Sequence, residues 1–182
     1  TMAKRSLLWT LAKAWNSTPM TTAIRYRRPV LYPKQYQAIF GPHRYAWIEA
    51  STKSGKTHGC LAWLVEQALR GKGGSNYWWI APSHGQAKIA FTRLRRALKW
   101  VRHESSEGEA RLVRAHDGEG LYQVHQTDQW LRLANGATIW FKSGEKPDAL
   151  YGEDVHAAVV DEASRLRVEA WHALRSTLTA TQ

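Results

Sequence analysis

The chain reads as a series of apolar runs separated by short polar turns, and the period of each run assigns it to a helix or a strand. "YPKQYQAIF" (32–40) predicts a short helix beginning at or after Pro33, because proline suits a first turn, and "GPHR" breaks it. "YAWIEA" (45–50) reads as a buried strand, and 56–70 as a helix closed by Gly71. "NYWWIAP" (76–82) is a second apolar strand, with Ser83 placed to cap the next helix. That helix, 86–102, carries Phe91, Leu94, Leu98 and Val101 on one face and Arg95, Arg96, Lys99 and Arg102 beside it. The polar, turn-rich stretch 103–120 reads as a surface excursion. In 129–143, Asn135-Gly136 between two β-rich runs predicts a hairpin with a two-residue type I′ turn. A strand over 154–164 ends in two acids, and 168–178 is a last helix.

Strands interleaved with helices predict an α/β fold with a mostly parallel central sheet and a hairpin inserted or appended. Residues 1–30 form a basic lead-in, with an amphipathic helix over 4–15 and an exposed arm at 25–29, and 31–182 form the single domain. The chain is long enough to bury a core without metal or disulfide staples.

Composition changes this picture in one respect. The content is that of a soluble globular chain, 43% hydrophobic and 23% charged, but 26 Lys+Arg against 15 Asp+Glu leave a net charge of +11. Such a surface seeks polyanions, nucleic acid first and an anionic membrane second. No run approaches the length of a membrane span and no signal-peptide layout is present. The lone Cys60 and eight histidines without metal-ligand spacing fit a reducing, cytoplasmic compartment.

The candidate chemistry lies in two motifs. In "STKSGKT", Ser51 to Thr57, the last three residues match the end of the GxxxxGK[ST] phosphate loop, with Ala50 in place of its first glycine. An apolar run precedes the motif and a helix follows it, so free N–H groups converge there on negative charge. Ser51, Thr52, Lys53, Ser54, Gly55, Lys56 and Thr57 are the candidate ATP-binding residues. Gly55 lets the backbone approach the phosphates, Lys56 reaches them, and the Thr57 hydroxyl is a candidate Mg²⁺ ligand. The competing reading is a solvated lysine turn.

The second motif is "AAVVDE" (157–162), which exposes Asp161 and Glu162 at the carboxyl edge of a strand, where open α/β sheets bind ligands. Asp161 would hold the metal and Glu162 would polarise the attacking water. The competing reading makes the two acids caps of the next helix. Gln35, upstream of the loop, has both the donor and the acceptor needed to pair with an adenine edge, or is simply an exposed helical glutamine. Arg95, Arg96 and Lys99 are candidates for phosphate-backbone contact with DNA. The tryptophans of "WWIAPSHGQAKIAF" serve either as core or in coupling to DNA.

Together, "YPKQ", "STKSGKT", "YWWIAPSHGQAK", "SGEKPDALYGEDVHAAVVDEASR" and "AWHALRSTLT" resemble the N-terminal ATPase domain of the large terminase subunit of tailed bacteriophages over 31–182. The resemblance implies a P-loop ATPase of the additional-strand type, using ATP and Mg²⁺ to move double-stranded DNA into a procapsid. It implies a homo-oligomeric ring on the portal protein, a small terminase subunit as recruiter, and the infected host's cytoplasm as location. It gives Gln35 the adenine, Lys53 or Lys56 the phosphates, Thr57 and Asp161 the metal, and Glu162 the catalytic water.

Two departures accompany the resemblance. Tyr151 stands in "LYG", where many relatives have an arginine that is a candidate finger, and tyrosine supplies no fixed positive charge. Relatives also have a further core strand between the lysine-loop strand and the acid strand, and a nuclease domain that is not expected within 31–182. The alternatives are a helicase-like ATPase on nucleic acid and a basic DNA-binding module without catalysis.

Overall fold

Strand β3 (Asn76–Ala81) is the central one of three parallel strands in the five-stranded sheet, and the sequence shows why. Trp78 and Trp79 are both wholly buried, on opposite faces of the pleat, so both faces of the strand must be covered. The computed structural model describes residues 7–11, 22–98, 100–104, 110–114 and 122–179. It divides into two compact units, Thr1–Trp63 and Leu64–Gln182.

The first unit contains an antiparallel pair, β1 (Leu7–Leu11) with β2 (Thr22–Tyr26), and helix α1 (Pro33–Ile39). Helix α2 (Lys56–Arg70) begins in this unit. Two expectations fail here. The amphipathic helix over 4–15 is replaced by β1, because ladder bonds to β2 take the backbone groups a helix would need. Residues 45–50 are not a strand: no described segment pairs with them, and Tyr45 and Trp47 are 64% and 76% exposed. An apolar run becomes a strand only where a neighbour takes its hydrogen bonds.

The second unit holds a five-stranded sheet in the order β6–β7–β8–β3–β9, with β6 at Tyr122–His125, β7 at Trp130–Leu133, β8 at Thr138–Ser143 and β9 at Val155–Val160. β8, β3 and β9 run parallel, while β7 pairs antiparallel with both β6 and β8. β9 is an edge strand, so Ala157 to Val160 are half-buried rather than sealed in. Helix α3 (His84–Leu98) covers one face, where Phe91 meets Phe141 edge-on at 5.5 Å between ring centroids. Helix α4 (Val168–Thr179) covers the other, where Ala170, Ala173 and Leu174 pack with Trp78, Ile80, Leu150 and Val155. The tryptophans of the "WW" pair are therefore core.

Ser83 caps α3 as expected, its hydroxyl accepting from the Gln86 N–H at 3.3 Å. The helix stops at Leu98, four residues short of the predicted end, because β4 (Trp100–Glu104) pairs with β5 (Ala110–Arg114). The stretch 103–120 thus contributes to a hairpin, and Lys99 lies outside the described residues.

The hairpin over 129–143 forms, but its turn differs from expectation. The Gly136 N–H donates to the Leu133 carbonyl at 2.9 Å and the Leu133 N–H to the Ala137 carbonyl at 2.8 Å, with left-handed backbone at Gly136 but not at Asn135. This is a three-residue loop with a glycine bulge. Asn135 is committed elsewhere: its amide nitrogen donates to the carbonyls of Ala68, Leu69 and Gly71 at 2.8, 3.2 and 3.1 Å, closing the C-terminus of α2. Its oxygen accepts from the Ala137 N–H at 3.1 Å. Asn135→Ala is expected to lower the unfolding free energy by about 1–3 kcal/mol, read by urea denaturation. Asn135→Asp should cost at least as much, since a carboxylate has nothing to donate to three carbonyls.

Candidate functional site

The lysine loop is built in the first unit from backbone upward. Lys53 and Gly55 have left-handed backbone, φ 64° and 81°, on either side of Ser54, whose N–H donates to the Ser51 carbonyl at 3.3 Å. Helix α2 then starts at Lys56, and the Gly59 N–H closes its first turn on the Gly55 carbonyl at 3.0 Å. The Lys56 ammonium donates to the carbonyls of Ala50 and, at 3.1 Å, Ser51, so the cation lies within the loop. Buried in the same loop, the Ser54 hydroxyl oxygen has no partner.

α1 supports the loop through side chains one turn apart. Ile39 lies against Gly59, where a Cβ would overlap its Cδ1. Gln35 reaches the loop itself, donating from Nε2 to the Ser54 carbonyl while Oε1 accepts from the Tyr32 N–H at 2.9 Å. Gly55 is needed twice, for its positive φ and because a Cβ there would overlap the Gln35 amide.

The acid pair lies in the second unit at the carboxyl ends of the parallel strands. Ile80 and Ala81 of β3 accept from the N–H groups of Asp161 (2.8 Å) and Gly144 (2.9 Å), fixing both flanking segments to the central strand. Glu162 has left-handed backbone, φ 51° and ψ 46°, an unfavourable setting for a residue with a Cβ. Its carbonyl accepts from the Arg165 N–H at 2.9 Å in a short 3₁₀ turn (Ala163–Arg165), and its side chain is exposed. Gln35 and Ser51 to Thr57 are thus gathered in one unit, and Asp161 and Glu162 in the other. On α3, Arg96 is exposed, whereas Arg95 is half-buried and engaged within the chain.

Two groups escaped sequence reasoning. Glu145, in the "SGEK" segment, accepts from the Ser143 hydroxyl at 2.9 Å and from the backbone N–H of His84, first residue of α3, at 3.2 Å. These bonds hold its carboxyl below the ordinary carboxylate range, the Ser143 contact most strongly. Lys142 donates to Glu153 at 2.6 Å and lies 4.2 Å from the Trp78 ring centroid, pinning the turn that leads into β9. Glu145 lies in the Ser-Gly-Glu-Lys run that helped carry the resemblance but was given no role of its own, and Lys142, just before that run, carried no signal.

No protein-family model and no curated protein matches the sequence. Solved structures do. An ATPase-domain mutant of the Thermus phage P74-26 large terminase aligns at 23% identity and TM-score 0.52, over 71% of this chain and 53% of that one. Another structure of that ATPase domain aligns at 20% and 0.50, over 82% and 65%. The chain has the fold of the phage large-terminase ATPase domain. The large terminase of a second phage, a thermophilic bacteriophage, shares this fold at TM-score 0.59 and 16% identity, over 83% of this chain. The chain spans 53% and 65% of the two P74-26 chains and 37% of the thermophilic bacteriophage's protein.

The loop residues present fit a nucleotide's phosphates. The paired left-handed residues of the loop, its internal ammonium and the unpartnered Ser54 hydroxyl suit phosphate oxygens. Among the described residues no group of three or more His, Cys, Asp or Glu side chains could hold a metal alone.

Proposed function

We propose that the chain binds ATP with Mg²⁺ and hydrolyses it, as the ATPase part of a large terminase that drives double-stranded DNA into a procapsid. The observation that carries this reading is the loop, whose left-handed Lys53 and Gly55 lead into Lys56 at the start of α2 in a chain of terminase fold. Lys56 leaves the Ala50 and Ser51 carbonyls for the phosphates, and the N–H groups of 51–57 cradle them. Thr57 and Asp161 would hold Mg²⁺, which when bound neutralises charge on the β- and γ-phosphates. Glu162 orients the attacking water and takes its proton. The portal protein, the small terminase subunit and a ring of further copies are the partners, in the infected host's cytoplasm. No helix among the described residues is long and apolar enough to cross a membrane.

α3 supplies the DNA-contacting charge through exposed Lys88, Arg93 and Arg96, and its fifteen residues include no acid. The test is phosphate release from ATP with and without duplex DNA, together with DNA affinity across a salt series. Turnover should rise with DNA, and log affinity should fall linearly with log salt by about 0.9 for each phosphate neutralised. Exposed Arg96 changed to Ala should shallow that slope by about one unit. A flat slope would remove DNA from the proposal, and DNA binding without turnover would leave only a basic binding module.

A further inference from the structure

The antiparallel side of the main sheet has one sealed face and one that opens to water. Leu131 and Leu133 of β7, with Ile139 and Phe141 of β8, are buried on the face where Phe91 of α3 lies. The other face carries a row of rings, His125, Trp130, Trp140 and Trp78, one from each of β6, β7, β8 and β3 and set side by side by the strand register. At the inner end Trp78 is wholly buried against α4, with Trp140 at the margin of that cluster. Towards the edge strand the covering stops: Trp130 is half-buried, and Gln123, His125 and Arg132 are exposed.

The outer end of the row is a built stack. The His125 imidazole lies nearly parallel to Trp130, 5.3 Å between centroids and 8° between planes, and the Arg132 guanidinium lies 5.2 Å from the Trp130 centroid. Arg132 is fixed by donating from Nε to the Thr138 hydroxyl at 3.2 Å. His125 is fixed from the turn, its Nδ1 3.2 Å from both the backbone nitrogen and the carboxylate of Asp128, and its side chain is still 47% exposed. The side chains that β6, β7 and β8 turn to this face include Arg132 and Lys142 and no acid. Cross-strand pairing accounts for the contact between His125 and Trp130. It does not call for an outer ring left open to water beside a guanidinium.

We infer that this face is a stacking platform for unpaired nucleic acid: a base extends the stack of Trp130 and His125 across the imidazole, and Arg132 takes the adjoining phosphate. The occupant must offer an accessible π-face and negative charge together. Paired bases hide their faces against their neighbours, so a duplex does not fit, and an apolar protein surface would strip water from Arg132 without replacing it. Rings held before the strand arrives lower the ordering cost of binding. The inference depends neither on the ATP site nor on the duplex contact given to α3.

The test is fluorescence anisotropy on the whole chain with labelled single-stranded oligothymidylate, oligouridylate, an abasic strand of equal length and duplex DNA. His125→Ala should weaken binding of the base-bearing strands roughly 5- to 30-fold, with the weaker abasic affinity and the duplex affinity unchanged. His125→Tyr should restore the loss, because it returns a ring without the imidazole nitrogens. Whichever base-bearing strand binds more tightly names the strand as DNA or RNA, and binding of either supports the platform. The platform is overturned by wild-type protein that binds duplex only, by equal affinity for base-bearing and abasic strands, by a His125→Ala variant as tight as wild type or equally weakened towards duplex, or by failure of tyrosine to rescue.

Discussion

Lys56→Ala should weaken Mg-ATP binding by roughly 30- to 1000-fold, about 2–4 kcal/mol, in a calorimetric or fluorescent-nucleotide titration. In the structure the ammonium is satisfied by the carbonyls of Ala50 and Ser51. Exchanging those neutral acceptors for phosphate oxygens is favourable because a charged acceptor makes the stronger bond. Deleting the cation leaves the phosphates without that partner and adds nothing in return. Ala50 and Ser51 are exposed, so water replaces the ammonium in the empty loop, and the melting temperature should hardly move. Lys56→Arg keeps the charge but presents a planar fork where a compact ammonium fits, so it should recover only part of the affinity. Lys53→Gly preserves the left-handed backbone and removes the other candidate cation. It should cost much less, which would settle which lysine meets the phosphates. Tight binding by Lys56→Ala would end the nucleotide reading.

The elements that were legible in the sequence are those whose evidence is local. α1 starts at its proline, α2 spans the predicted residues, and β3, β9 and α4 follow their apolar periods, because each is specified by neighbours within a few positions. Each expectation that failed depended on a distant partner. The run 45–50 has a strand's composition but no ladder, and Leu7–Leu11 has a helix's composition but finds β2. Val101 and Arg102 fit the helical stripe of α3 as well as they fit β4, and pairing with β5 decides between the two. The hairpin turn lies where its Asn-Gly pair predicts but is of another type, because Asn135 caps a helix more than sixty residues back.

The candidate site divides in the same way. A glycine and lysine ahead of a helix, or two acids after an apolar strand, announce themselves in a few consecutive residues. The bonds from Gln35 to Ser54, and from Glu145 to the first turn of α3, join segments 19 and 61 residues apart. Sequence could name these side chains as polar, but only folding shows what they hold. Glu145 is a carboxylate on a helix N-terminus, where the backbone dipole favours it, so it fixes the start of the basic helix to the end of β8.

Glu162→Gln should lower ATP turnover by roughly 10²- to 10⁴-fold while leaving Mg-ATP affinity nearly unchanged. The amide keeps the side chain's size but cannot take a proton from water, so the loss belongs to the chemical step. The backbone supplies an independent check. Glu162 is one of three described non-glycine residues at positive φ, and such strain persists where the surrounding structure imposes it. The bonds from Asp161 to Ile80 and from Arg165 to Glu162 impose it here, since together they bend the chain sharply between β9 and the 3₁₀ turn. Glu162→Gly removes the Cβ penalty and the carboxylate at once. Its stability should therefore stay within about 1 kcal/mol of wild type, relief of strain offsetting the greater freedom of the unfolded glycine chain, while its turnover falls as far as that of the Gln variant. A glycine variant that keeps wild-type turnover would show that the bend alone matters and would remove Glu162 from the chemistry. A glycine variant as stable as wild type but inactive would show that the chain holds an unfavourable backbone angle to aim a single carboxylate.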